Sequence, residues 1–335
     1  MENRTCPLTG TVYSGIGGQA VMEGVMMRNK DDYAVAVRRA DGEIVIKKDE
    51  YHGIINNKTI YKIPVVRGIL SFVDSLVLGL STLNFSSDIY MASEESEERK
   101  AAGDSGAKEE KDSVKAEGTS QKKSAADTAL SAGITIVALV LAMGLFMVLP
   151  YLASLVFRPL TGEGILLSLI EGLIRILIFV GYIRAISLME DIRRVFMYHG
   201  AEHKCINCIE AGMPLTVDNV KMASREHRRC GTSFLLYVMV ISIVFFAFIQ
   251  TDTRWLKVVM RIVLIPVIAG VSYEFIRLAG RSDNSVVRLI SRPGLWLQKL
   301  TTREPDEEMI KVGIRSVEEV FDWKAFIEEH FPNDQ

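Results

Sequence analysis

The chain lacks a basic excess: its formal net charge is −2, so the electrostatic footprint of nucleic-acid binding is missing and no such partner is expected. It also lacks a secretory signal, because Met1-Glu2-Asn3-Arg4 does not lead into an apolar core with a small-residue cleavage site. The first segment is therefore expected to stay on the side of synthesis. No internal repeat of fixed period is present, which excludes solenoid and propeller architectures. The glycine-rich stretch containing Gly15, Gly17 and Gly18 lacks the Gly-Lys-Ser/Thr ending of a phosphate loop. The most consequential absence is that of charge between residues 129 and 157. At about 1.5 Å rise per residue, such a run is long enough to cross a hydrocarbon core of about 30 Å.

The 335 residues are 49% hydrophobic yet 24% charged, with a mean hydropathy of +0.20. That mixture indicates a membrane protein with a substantial aqueous part. Apolar runs at 129–157, 164–189, 232–250 and 258–279 give four spans within 129–280, with the lipid bilayer as their partner. The connections at 158–163 and 251–257 carry few positive charges. The loop 190–231, by contrast, holds Arg193, Arg194, Lys204, Lys221, Arg225, Arg228 and Arg229. The positive-inside bias places that loop and both termini in the cytoplasm.

A fifth apolar stretch, 63–91, is interrupted by Arg67 and Asp74, while Val66, Ile69, Leu70, Val73, Leu76, Val77 and Leu80 follow helical spacing. An amphipathic helix lying on the bilayer or on protein is expected there. Upstream, residues 33–38 and 43–47 flank Ala40-Asp41-Gly42 as a β-hairpin, within a small mixed domain over 1–92. Residues 93–128 are almost entirely Glu, Lys, Ser, Ala, Gly and Asp, the composition of a disordered linker. Residues 281–335 read as an interfacial helix broken at Pro293, then a soluble helical tail. The expected fold is a polytopic α-helical membrane protein with about four transmembrane helices and a small N-terminal mixed α/β domain.

Potential metal ligands crowd the 190–231 loop: His199, Glu202, His203, Cys205 and Cys208 are answered downstream by His227 and Cys230. Thiolate plus imidazole selects zinc, with iron second, and clustered cysteines in a reducing compartment more often bind metal than pair. Two readings compete. His199-Gly-Ala-Glu202-His203 sets two imidazoles at i and i+4 on one helical face with a glutamate beside them, the arrangement of inverted zinc proteases. Glu202 would then be the general base, and Glu274, near the cytoplasmic end of the fourth span, a candidate third ligand. Alternatively, Cys205-x-x-Cys208 and His227-x-x-Cys230 have the spacing of a closed structural zinc knuckle, as in a non-enzymatic scaffold or transport-related protein. On a continuous helix Cys205 and Cys208 lie about 240° and 180° round from His199. Two separate sites, or one site in a broken helix, would both satisfy the pattern.

Other ionisable groups lie at membrane depth, where they are functional candidates by default. Glu171 and Arg175, four residues apart, can pair within the second span, and Arg261 and Glu274 occupy the fourth. In the amino-terminal stretch Gln19, Glu23 and Arg28 are candidates to face the ligand cluster.

Several motifs together resemble the YqhQ-like family of bacterial membrane proteins. They are Gly-Gly-Gln-Ala-Val-Met-Glu-Gly-Val-Met-Met-Arg at 17–28, Tyr-His-Gly-Ala-Glu-His-Lys at 198–204 and His-Arg-Arg-Cys-Gly-Thr-Ser at 227–233. Tyr273 with Glu274, Pro293 with Gly294, and Thr-Thr-Arg-Glu-Pro at 301–305 complete the set. The resemblance implies a bacterial inner-membrane protein and a metal-dependent enzyme, with no substrate or reaction attached. With the ligand pattern, it leads to the expectation of metal-assisted hydrolysis of a membrane-associated peptide or lipid, using zinc.

Overall fold

The computed structural model describes residues 11–55, 59–101, 125–162, 164–249, 253–280 and 284–332. The chain divides into two compact units, one formed by residues 1–108, 186–236 and 269–335, the other by 109–185 and 237–268. Among the described residues the strands are β1 (Gly17–Val21), β2 (Gly24–Asn29), β3 (Asp32–Arg38) and β4 (Ile44–Glu50). The α-helices are α1 (Val66–Ala101), α2 (Ala125–Met143), α3 (Leu149–Ser154), α4 (Arg158–Thr161), α5 (Ile165–Ile186), α6 (Glu190–Glu210), α7 (Val217–Met222), α8 (Gly231–Phe248), α9 (Arg254–Ala279), α10 (Ser285–Thr301), α11 (Glu307–Glu318) and α12 (Trp323–His330).

In the first unit the strands form an antiparallel meander in sequence order. The hairpin read from the sequence is β3–β4, and Gly42 at φ 88° supplies the left-handed residue of its turn. The glycine-rich stretch forms a second hairpin, β1–β2, closed by Glu23 at φ 48°. Alternation along each strand gives the sheet two buried faces. Val25, Met27, Ala34 and Ala36 join Tyr198, Ala201, Cys205 and Ile206 of α6 and Met309, Ile310 and Val312 of α11. Val21, Met26, Tyr33, Val35 and Val37 join Leu78, Phe85 and Ile89 of α1. The sheet is thus the middle layer between α1 and the α6–α11 pair.

Two sequence expectations change at α1. Its helix runs through Ala101, past the linker boundary expected at residue 93, because Ser93 is buried and accepts a hydrogen bond from Ala40 N (3.1 Å). The Glu95–Arg99 pair supports the last turns at i, i+4 spacing. Of the remaining linker, residues 102–124 lie outside the described residues and 125–128 are helical. In addition, α1 is long and apolar enough to be a candidate span, so among the described residues five helices rather than four meet that criterion: Val66–Arg99, Ile136–Thr161, Ile165–Ile186, Gly231–Phe248 and Val258–Ala279. The charges that interrupt the run are satisfied by protein partners. Arg67 pairs with Glu274, and Asp74 accepts from Tyr61 Oη (2.7 Å), Tyr51 Oη (3.2 Å) and Ile54 N (2.8 Å). Further along, α10 passes through Pro293 without breaking, since a proline removes one ladder bond and need not end a helix.

In the second unit the first expected span is longer than 129–157 and is not uniform. α2 passes through a π-helical turn, Gly144–Val148, into α3, whose Pro150 follows that turn, then through a 3₁₀ turn, Leu155–Phe157, into α4. This unit is held by a buried ionic cluster. Glu171 accepts from Arg175 (2.8 Å) and, bidentately, from Arg261 (2.6 and 2.8 Å). Arg175 also reaches Phe146 O (3.0 Å) and Ser242 Oγ (3.2 Å). Both guanidiniums lie over the Phe246 ring, at 5.2 and 5.0 Å.

Candidate metal centre

Helix α6 is unbroken from Glu190 to Glu210, with Glu190 and Asp191 at its positive end. That continuity keeps His199, Glu202 and His203 on one side and turns Cys205 and Cys208 away. His199 Nδ1 lies 2.9 Å from Thr301 O, and His203 Nδ1 lies 2.6 Å from Arg225 O. A carbonyl oxygen can only accept, so each Nδ1 carries a proton and each Nε2 points inward as the ligating atom. There the imidazoles meet Cys230, which immediately precedes α8. The three ligand atoms lie within 4.8 Å of one another, and His199 Nε2 is 3.1 Å from Cys230 Sγ.

This trio fits zinc by donor type and spacing. Bond lengths of about 2.0–2.1 Å to nitrogen and about 2.3 Å to sulfur, at tetrahedral angles, put neighbouring ligand atoms between 3 and 4 Å apart, roughly the spread found here. Glu202 Oε2 stands 3.9 Å from His199 Nε2 and 4.0 Å from His203 Nε2. The site's electrostatics suit a cation. Burial works against charge on His199, but the Cys230 thiolate outweighs it and raises the imidazole to about 9. Burial likewise opposes the thiolate, yet the two histidines hold Cys230 well below the usual thiol range. Burial raises the Glu202 carboxyl, and His203 and His199 pull it back in part. An imidazolium–thiolate pair of this kind is a donor set from which a metal displaces protons.

Two glycines let backbone close in on the site. A Cβ at Gly18 would stand 2.8 Å from Glu202 Cγ and 2.7 Å from Met26 O. A Cβ at Gly200 would fall 2.0 Å from Arg303 O, so the middle of the His-x-x-Glu-His segment requires glycine. Residues 301–305 wrap α6 here: Thr301 O orients His199, Arg303 N donates to Phe196 O (2.8 Å), and Glu304 pairs with Lys204 (2.9 Å). Gln298, fully buried, holds the 227–233 segment by accepting from His227 N (2.8 Å) and donating to His227 O (2.7 Å) and Ser233 Oγ (2.8 Å).

The other residues singled out in the sequence lie elsewhere. Cys205 faces Gly313 of α11, and burial pushes its thiol well up. Cys208 points at Met213 O (3.6 Å) and Pro214 O (3.5 Å). His227 sits against Glu210 and Arg229, its ring 5.4 Å from that of His203. Cys205, Cys208, His227 and Cys230 are therefore not gathered into a knuckle, and the third member of the histidine group is Cys230 instead of Glu274, which Arg67 engages bidentately. Nor do the amino-terminal side chains reach the trio. Gln19 bonds Gly79 O, Glu23 is held by Arg194 and Tyr198, and Arg28 bonds Lys30 O and Tyr51 O. The backbone of Gly18 makes that approach.

The family model described as "Protein of unknown function (DUF1385)" matches residues 63–323. The chain belongs to the DUF1385, YqhQ-like family. It is 37% identical over 317 residues, 94% of each chain, to "Uncharacterized protein YqhQ" of Bacillus subtilis (strain 168). No solved structure matches. The DUF1385 match contains His199, Glu202, His203 and Cys230 and begins after the β-sheet that supplies Gly18. In the sequence the carbonyls of Thr301 and Arg225, and the Gln298 side chain, had no place at the site. The only signal was the 301–305 motif, because carbonyl acceptors leave no side-chain trace.

Proposed function

We propose that this DUF1385 protein is a metal-dependent membrane hydrolase, with His199, His203 and Cys230 as ligands and Glu202 as general base. The supporting observation is that two oriented Nε2 atoms and one Sγ converge beside a buried carboxylate. Three protein ligands are the number that leaves a coordination position open for chemistry. Bound there, zinc would supply Lewis acidity. Glu202 Oε2, 3.9 and 4.0 Å from the two Nε2 atoms, would take the proton of a water. The substrate class is a membrane-associated peptide or lipid, because the ligand Cys230 directly precedes an apolar helix.

A second reading rests on the same carboxylate: moved onto the metal, Glu202 would close the site as a fourth, structural ligand. Cobalt substitution of detergent-purified protein separates the two. An open site changes its visible spectrum when azide is added, and Glu202→Gln keeps the metal while losing peptide or lipid turnover. A spectrum indifferent to azide, with metal lost in Glu202→Gln, would establish the closed site. Wild type that retains no zinc or cobalt would overturn both.

We also propose a topology, supported by parity. The sheet, α6 and α11 form one layered body, so the chain crosses the bilayer an even number of times between β4 and α6. Of the three candidate spans in that interval, α1 is the one that does not cross, since its Leu78, Phe85 and Ile89 cover the sheet. Four crossings would keep this body and the C-terminal helices on one side, and the positive charge of residues 190–231 supports taking that side as the cytoplasm. Cysteines placed at Glu98 and Gly162 should react with an impermeant maleimide from opposite sides. Labelling of both from the same side would refute this topology.

A further inference from the structure

At the start of α1 the first unit carries a second polar feature, separate from the histidine–cysteine group. A cavity of about 350 Å³ is lined by Arg67, Glu274, Arg277 and Leu278. The close approach that builds it depends on glycine, because a Cβ at Gly68 would stand 2.6 Å from Gly270 O and one at Gly270 would stand 2.5 Å from Val65 O. Val65 itself takes φ 67°, an unfavourable conformation for a β-branched residue and one that persists only where the surroundings enforce it. Glu274 is already satisfied by Arg67, through Nε at 2.7 Å and through Nη2, and by Val65 N at 3.4 Å.

Among the described residues the charges here do not balance. Two guanidiniums face one carboxylate, and the positive end of a 36-residue helix adds to the excess. Arg277 is the surplus charge. The cavity also lies at the last residues of the candidate span Val258–Ala279, the level at which a crossing helix meets headgroups. Its apolar lining residue Leu278 is 53% exposed, and Phe275, three residues before it on α9, is 39% exposed. A guanidinium fork beside an exposed apolar wall suits a phosphate diester on an acyl chain better than a free ion, which has no use for the wall.

We propose that this cavity binds the headgroup phosphate of an anionic phospholipid, with Arg277 as the principal contact, Arg67 as the second, and Leu278 and Phe275 along the acyl chain. The site does not depend on the metal reading and stands if that reading fails.

The test titrates detergent-purified full-length protein with dihexanoylphosphatidylglycerol, dihexanoylphosphatidylcholine and inorganic phosphate, counting bound molecules by native mass spectrometry. Phosphatidylglycerol should bind in preference to both others. Arg277→Gln should weaken it about tenfold or more, the usual worth of a charge-assisted hydrogen bond, while Arg277→Lys keeps part of the affinity. Unchanged elution and melting midpoint in the variants would show that they fold. Equal binding of phosphatidylcholine, phosphate alone binding as tightly as the lipid, or full affinity in a folded Arg277→Gln would each overturn the proposal. Should Arg277→Gln not fold, the lipid preference of the wild type still decides.

Discussion

Removing the Glu171 carboxylate should be far more damaging than removing either arginine that contacts it. Glu171, Arg175 and Arg261 are 4%, 6% and 4% exposed, and together carry one excess positive charge. In Glu171→Gln the excess becomes two. Arg261 bears most of the loss, because both of its hydrogen bonds go to Glu171 and its Nε already lacks a partner. Arg175 keeps Phe146 O and Ser242. Leaving a buried charge unpaired costs about 3–5 kcal/mol, whereas replacing buried ionic groups with apolar ones of similar size is often neutral. Arg261→Leu leaves a neutral Glu171–Arg175 pair and should cost little. The double variant Glu171→Gln/Arg261→Leu should recover roughly 2 kcal/mol or more relative to additivity. At about 2–4 °C per kcal/mol, Glu171→Gln should lower the thermal midpoint in detergent by roughly 6–20 °C. The reasoning fails if Arg261→Leu costs as much as Glu171→Gln, or if the two effects simply add.

Gly200→Ala should be destabilising by at least about 1–3 kcal/mol, the range for overpacking, since its Cβ would overlap Arg303 O; thermal melting of the variant checks this, and wild-type stability would contradict it. Burial would raise the Glu210 carboxyl, but His227 and Arg229 pull it down to about 2 from 4.5, while burial and Arg229 pull His227 down to about 4 from 6.5. Both groups bind protons more readily unfolded, so their contribution to stability should be full above pH 6.5, fall as His227 titrates toward 4, and fall again between 4.5 and 2. Glu210→Gln/His227→Gln should flatten that acid limb in a pH series of melting midpoints; an unchanged limb would refute the assignment. A chain beginning at residue 63 should aggregate when expressed, because the α6 and α11 faces that cover the sheet would be bare; a monodisperse product retaining zinc would show the sheet to be dispensable.

How much could be read from the residues depended on the range of the interaction. The β3–β4 hairpin and the four most apolar helices are local patterns of alternation and length, and both were visible. The strand character of residues 17–29 was hidden by glycines, which matter there for close approach to Glu202 and the neighbouring strand. The membrane status of α1 was ambiguous because Arg67 and Asp74 look prohibitive until Glu274, Tyr51 and Tyr61 are brought to them from elsewhere in the chain. At the site, i, i+4 spacing placed His199, Glu202 and His203 together. The choice between Cys230 and Glu274 as their companion depended on tertiary structure, and no helical periodicity could supply it.

The layered body is assembled from three separated stretches of chain, and this has a consequence for biogenesis. The β-sheet leaves the ribosome early, but one of its coverings, α11, is made only after every membrane helix. At synthesis rates of about 5–20 residues per second, the roughly 270 residues between β4 and the end of α11 take on the order of 15–55 seconds. During that interval the face formed by Val25, Met27, Ala34 and Ala36 lacks the α11 half of its cover, and His199 on α6 lacks the Thr301 carbonyl that orients it. Assembly of the His199–His203–Cys230 group is thereby tied to completed insertion, and a chaperone bound to the nascent sheet would act on the timing of that assembly without touching any of the three residues.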